Sequence, residues 1–115
     1  MTHDLDALLA TVCARLRFVP RNIRITWALD SELDNGNHWA QWRRYPHDGH
    51  WIGLAAQLKT APRYVVEYLV GHEVLHAIFP YKRAQHSKAH IVACYLLPHR
   101  AAAERWLCSA ARSGA

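Results

Sequence analysis

The segment between Pro62 and Pro80 constrains the fold more than any other part of the chain. Its apolar residues recur at helical spacing and cover most of the helix circumference. They are Tyr64, Val65, Val66, Leu69, Val70, Val74, Leu75, Ile78 and Phe79. Proline is tolerated in the first turn of a helix and stops a helix further on, so the two prolines mark its limits. Because a helix that is apolar nearly all round must be buried, we expect the rest of the chain to pack around it.

The segments on either side show two periodicities. Before the buried helix, a helical pattern that Pro20 ends is followed by a segment in which Ile23, Ile25, Trp27 and Leu29 alternate with other residues, as in a half-buried strand. Turn-forming residues separate the shorter patterns that come next. The predicted elements are a helix over 5–16, strands over 22–29, 39–45 and 50–58, and, after the buried helix, helices over 87–97 and 98–111.

These elements predict an α+β fold. It consists of an N-terminal helix, a small three-stranded sheet that is mixed or antiparallel, the buried helix and one or two C-terminal helices. The chain has 115 residues, 51% of them hydrophobic and 20% charged, which is typical of a globular protein of one domain. We therefore expect residues 1–115 to form a single domain.

The composition also bears on location and redox chemistry. No run reaches the roughly 18 uninterrupted apolar residues of a membrane span, and the first residues lack the basic region of a secretory signal. We expect a cytoplasmic protein without a membrane partner. The three cysteines, Cys13, Cys94 and Cys108, form no CxxC pair, so we expect buried thiols and neither disulfides nor a zinc ribbon.

The chain is basic, with a formal charge of +5 and a pI near 9.5. This charge favours acidic partners, of which nucleic acid is the obvious candidate. The lysines and arginines are scattered in ones and twos, without the dense tract that nucleic-acid binding favours. Nucleic acid therefore stays a weaker alternative to a protein or peptide partner, and the oligomeric state is open.

The buried helix contains the HExxH sequence formed by His72, Glu73 and His76. Histidines four residues apart project from the same face of a helix, so their imidazoles can converge on one tetrahedral zinc ion. Glu73 lies about 100° around the helix from His72, which suits a general base that reaches water beside the metal. An unpaired carboxylate in an apolar helix is costly, and buried charges persist when they are paired, hydrogen-bonded or set beside a metal, so a zinc ion would supply the compensation that Glu73 needs. We predict one Zn²⁺ per chain with Glu73 as the catalytic base.

Two histidines leave a catalytic zinc short of its usual third protein ligand. His86 and His90 both follow the helix at a distance from which the chain can fold back. Glu104 is a weaker alternative, since no glutamate lies between it and Glu73. Spacing alone leaves the choice between these residues open.

The segments 64–76 and 86–90 together resemble the SprT-like and WLM-type zinc metallopeptidases, and the likeness covers roughly residues 22–97. In those families a third histidine opens a short motif of the form HSKAF or HGPEF, and His86 matches it, whereas His90 falls where the families carry an aromatic residue. The resemblance implies a minimal zincin-like metallopeptidase domain, with His72, His76 and His86 as metal ligands. It also implies that an edge strand, expected at residues 52–56, binds an extended peptide by backbone pairing.

A weaker likeness connects residues 88–97 with the segment that follows HExxH in ImmA/IrrE-type proteases. The glutamates of that segment are missing here, and His86 falls on the first of them. This likeness therefore also favours His86 as the third ligand.

Together these features predict a zinc-dependent peptidase that hydrolyses peptide bonds with a metal-activated water and Glu73 as general base. The main alternative is a non-catalytic or latent metal-stabilised module that binds protein or nucleic acid. It would apply if His90 closed the coordination sphere and left zinc no open position. A hydrolase of RNA or of a small amide could use the same ion in a different cleft.

Overall fold

A three-stranded sheet with helices packed against it forms the framework of the fold. The computed structural model describes residues 3–18, 22–45, 49–78 and 88–110. The helices are α1 (Leu5–Leu16), α2 (Arg63–Ile78), α3 (Lys88–Tyr95) and α4 (Arg100–Ser109), and the strands are β1 (Ile23–Ala28), β2 (Ala40–Tyr45) and β3 (Gly49–Ala55). Short 3₁₀ helices cover Asp30–Glu32 and Ala56–Thr60. The predicted α+β fold is confirmed, including both C-terminal helices.

The sheet is mixed, and its strand order is β1-β3-β2. In the centre, β3 pairs in parallel with β1 and antiparallel with β2, so that Ile52 lies between Ile25 and Trp42. The expectation that residues 52–56 form the peptide-binding edge strand is therefore wrong. Every residue from Trp51 to Ala55 is buried, as in a strand covered on both faces, whereas β2 carries polar residues and forms an edge of the described sheet.

The core is built around α2, as its apolar circumference predicts. Val65, Val66, Val70 and Val74 are fully buried in it. The helix packs against α1, α3 and α4 on the helical side of the molecule and against β2 and β3 on the sheet side. Burial of side chains of this size contributes about 1.5–3 kcal/mol each. This packing fixes α2, and with it the HExxH residues, between the sheet and the C-terminal helices.

Local signals set the limits of the helices. Asp4 caps α1 by accepting a hydrogen bond from the Ala7 amide at 3.1 Å, and Arg17 ends the helix in the left-handed conformation with φ of 53°. The carbonyl of Pro62 accepts hydrogen bonds from the amides of Val65 and Val66, which begins α2 just after the proline.

Two details of the strand prediction are wrong. Leu29, expected on the inner face of the first strand, is 70% exposed because the chain leaves the sheet after Ala28 and turns into a 3₁₀ helix. The third strand ends at Ala55, three residues before the predicted end. Leu58 nevertheless stays fully buried, since the 3₁₀ helix that replaces the end of the strand turns its side chain back into the core.

The three cysteines differ in burial. Cys13 and Cys94 are buried thiols, as predicted, whereas Cys108, which was also expected to be buried, is exposed. Among the described residues, no helix combines the length and the apolarity that crossing a membrane requires.

Candidate metal centre

The HExxH residues lie together on α2, in the second half of the helix. The ring centroids of His72 and His76 are 5.3 Å apart, with the rings nearly perpendicular. Glu73 Oε2 lies 3.9 Å from His72 Nε2. One ligand atom of each of these three residues falls within 4.8 Å of the others. Two imidazoles at this spacing fit the ligand chemistry of zinc, and the carboxyl group lies beside them.

The sheet holds His76 in place through Trp42. The indole of Trp42 stacks on the imidazole of His76, with centroids 5.8 Å apart and an angle of 9° between the planes. A hydrogen bond holds the indole of Trp42 in turn: its Nε1 donates to His50 Nδ1 at 3.0 Å. Since that nitrogen must be unprotonated to accept, the contact agrees with the lowered pKa of His50, caused by burial and then by the charge of Arg44. The role of Trp42 depends on a strand pairing that the sequence does not reveal.

Glu73 is a buried carboxyl group, only 4% exposed. Burial raises the pKa of Glu73 to about 8. A cation beside the carboxyl group would favour its charged form, so binding of a metal ion would supply the carboxylate that a general base needs. The sequence predicted an ionisable group in an apolar helix, and the structure gives it this environment.

A cleft of about 220 Å³ opens beside the HExxH residues. The edge strand β2 forms one of its walls, with Ala40, Gln41 and Trp42. His72, Glu73 and His76 line the same cleft. The cleft therefore joins the candidate metal ligands, the candidate base and an edge strand in one space.

His90, one of the alternative third ligands, lies close to both HExxH histidines. It is 1% exposed, and its ring centroid is 4.8 Å from that of His72 and 4.2 Å from that of His76. Its donor atoms, however, group with those of His72 and Cys94. Cys94 Sγ is 3.3 Å from His72 Nδ1 and 3.5 Å from His90 Nδ1.

Cys94 was expected only as a buried thiol, although the sequence carried a signal for it. His90 and Cys94 are four residues apart on one helix, which is the spacing that relates His72 to His76. The same criterion that singled out the HExxH pair would have singled out this one.

The other two candidates for the third ligand have different positions. His86 lies outside the described residues, so its assignment stays a prediction. Glu104 accepts hydrogen bonds from the Tyr68 hydroxyl at 3.1 Å and from Arg100 at 2.9 Å. It lines a second cavity, formed by α2, α3 and α4, and not the cleft of Glu73 and His76.

Comparison of the chain with protein-family models, with curated proteins and with solved structures found no match.

Proposed function

We propose that this protein is a zinc-dependent peptidase, with His72, His76 and His86 as metal ligands and Glu73 as the general base. The observation that carries the proposal is that the buried Glu73 lies beside two histidines, in a cleft that an edge strand borders. A structural zinc site needs ligands but no base. A base and an open cleft beside the ligands therefore favour catalysis.

When bound, zinc supplies a Lewis acid that makes water more acidic and polarises a carbonyl group. Glu73 takes the proton from the attacking water and returns it to the leaving amine. His72 and His76 would hold the ion in a fixed position. Both lie on a helix that is kept in place by its buried valines. Trp42 limits rotation of the His76 ring by stacking against it.

The edge strand β2 supports a peptide as the substrate. The Ala55 amide donates to the Trp39 carbonyl at 2.8 Å, so the hydrogen-bonded pairs of the β2–β3 ladder fall at Trp39 and at every second residue after it. The backbone groups of Ala40 and Trp42 consequently face away from β3, along the wall of the cleft. An extended peptide can pair with them there, so that recognition would depend more on backbone than on side chains.

The test of this function is Glu73→Gln, which preserves size and hydrogen bonding but removes the group that accepts the proton. Turnover of an unfolded protein or peptide should fall by about two to four orders of magnitude, the usual contribution of a positioned acid–base group. Bound zinc, measured by mass spectrometry of the native protein, should not change. The matched control is Glu67→Gln on the same helix, where Glu67 forms ion pairs with Arg15 and Arg63 and lines no part of the cleft.

The control should cleave at the wild-type rate. Equal cleavage by wild type and Glu73→Gln would contradict the mechanism even if zinc is bound. A wild type that binds zinc but is inert on a broad panel of unfolded proteins would favour the alternative function, a latent or non-catalytic metal-stabilised binding module. The closeness of His90 to both HExxH histidines favours that alternative, because a further imidazole could close the coordination sphere.

A further inference from the structure

His72 lies between two cavities and is the one residue that lines both of them in the described part of the chain. The cleft of Glu73 and His76 is one. The other, of about 310 Å³, is lined by His72, His90 and Cys94, together with residues of α4. We propose that His72, His90 and Cys94 form a second metal site at this cavity, for a thiophilic cation such as Zn²⁺, Cd²⁺ or Cu⁺.

The hydrogen bond of His90 makes one of its nitrogens suitable for a metal. His90 Nε2 lies 3.0 Å from the backbone carbonyl oxygen of His72. Because a carbonyl only accepts, Nε2 carries the proton and donates it. The lone pair of the neutral ring is then on Nδ1, which is the nearer of the two ring nitrogens to Cys94 Sγ, at 3.5 Å against 3.9 Å for Nε2. Histidines that bind metals are held in the same way, with one ring nitrogen donating to a carbonyl or carboxylate while the other binds the ion.

The distances within the cluster match those between ligands of one ion. Zn–S bonds of about 2.3 Å and Zn–N bonds of about 2.0–2.1 Å place sulfur and nitrogen about 3.5 Å apart in tetrahedral geometry. The observed separations from Cys94 Sγ are 3.3 Å to His72 Nδ1 and 3.5 Å to His90 Nδ1. One cation would accept lone pairs from all three atoms. Binding would release the Cys94 proton to solvent, since the thiolate is the ligand.

The ligand set indicates the class of metal. One thiolate with two imidazoles favours zinc and softer cations over Mg²⁺ or Ca²⁺, which require oxygen ligands. His90 is 1% exposed and Cys94 is 7% exposed, so these two ligands would hold the ion in the protein interior, away from bulk water. The adjoining cavity leaves space for a fourth ligand from solvent.

The two sites would compete for His72. A neutral imidazole has one lone pair in the ring plane, so it binds one metal at a time unless it loses its second proton. The HExxH site faces Glu73, whose Oε2 is 3.9 Å from His72 Nε2, whereas the second site uses His72 Nδ1. A metal on Cys94 would therefore withdraw His72 from the first site and inhibit hydrolysis, a consequence that rests on the proposed function. The existence of the second site does not depend on it.

Titration of the purified protein with Cd²⁺ tests the site, because cadmium bound to a thiolate gives an ultraviolet charge-transfer absorption that nitrogen and oxygen ligands do not give. We expect this absorption in the wild type and in His76→Ala, which removes a ligand of the first site only. It should be lost in Cys94→Ser and persist in Cys108→Ser, the matched control at an exposed cysteine. His90→Ala should weaken it.

Absence of the absorption from the wild type, or its persistence in Cys94→Ser, would overturn the proposal. Its loss in His76→Ala would also overturn it, because Cys94 would then belong to the HExxH site. Failure of the peptidase function alone would leave the His76→Ala result unchanged, so the two failures are distinguishable.

A second measurement on the wild type needs no variant that might misfold. Cd²⁺ should slow alkylation of Cys94, followed by mass spectrometry, more than alkylation of Cys13, which is also buried. Equal slowing of both thiols, or no slowing, would contradict the site.

Discussion

Gly53 and Gly71 each leave room for a large neighbouring side chain, but the neighbours differ in how far they can move. A β-carbon at Gly53 would overlap the Trp51 ring and lie 2.9 Å from Ala28 Cβ. Trp51 is fixed by the hydrogen bond that its Nε1 donates to Thr26 at 3.0 Å. A β-carbon at Gly71 would lie 2.9 Å from a terminal methyl of Leu97, which can rotate away.

Gly53→Ala should therefore lower the free energy of unfolding by about 1–3 kcal/mol, as overpacking of a core does. Gly71→Ala is the matched control, because alanine raises helix propensity by about 1 kcal/mol and so offsets the displacement of Leu97. Urea denaturation of the two variants gives the comparison. A Gly71→Ala variant destabilised as much as Gly53→Ala would contradict the packing described around Trp51.

Among the elements, α2 could be predicted from the sequence almost to the residue. Its helical period is local information, and prolines bound it on both sides. The strands could be predicted too, but their order could not. Pairing of β3 with both β1 and β2 depends on contacts between distant parts of the chain, which alternation of side chains does not encode. For this reason the pattern of residues 52–56 does not show that the strand there is the central one.

The same limit applies to the candidate site. The HExxH residues could be recognised because their spacing on one helix determines that they face one another. Trp42 reaches His76 through strand pairing, and Cys94 reaches His72 through the packing of α3 on α2. The spacing of His90 and Cys94 can mark these two residues as a pair, but their contact with His72 follows from the tertiary structure.

The proposal that β2 binds the substrate can be tested with proline. The Ala40 amide faces the open edge of β2, so Ala40→Pro removes a donor for the substrate without breaking the ladder with β3. We expect kcat/KM to fall by about two- to tenfold, the value of one hydrogen bond of about 0.5–1.5 kcal/mol, with little change in the melting temperature. Gln41→Pro is the control, because it breaks the ladder at Gly53 and should destabilise the fold.

An Ala40→Pro variant that folds and keeps the wild-type kcat/KM would show that peptides do not pair with β2 at this residue. The expected contrast is between two neighbouring positions of one strand. Ala40→Pro would affect substrate turnover, and Gln41→Pro would affect stability.

For the whole molecule, the metal and the fold should be coupled. The described donor atoms of the two candidate metal sites come from α2 and α3, and α2 also carries the core of the protein. An ion that binds only the folded state stabilises it by about 2.7 kcal/mol at a hundredfold excess over its dissociation constant. Removal of zinc by a chelator should therefore lower the melting temperature measured by circular dichroism, and added zinc should restore it. An unchanged melting curve after verified removal of zinc would mean that the fold does not depend on the ion.

The central claim is that the HExxH residues hold a metal ion, and native mass spectrometry of the purified protein tests it most directly. The wild type should carry close to one zinc per chain, because both candidate sites share His72. The variant with both His72→Ala and His76→Ala should carry none, since each site loses at least one ligand. Circular dichroism of the variant under the same conditions checks that it is folded. A folded double variant that keeps the wild-type zinc content would contradict the assignment of the metal centre.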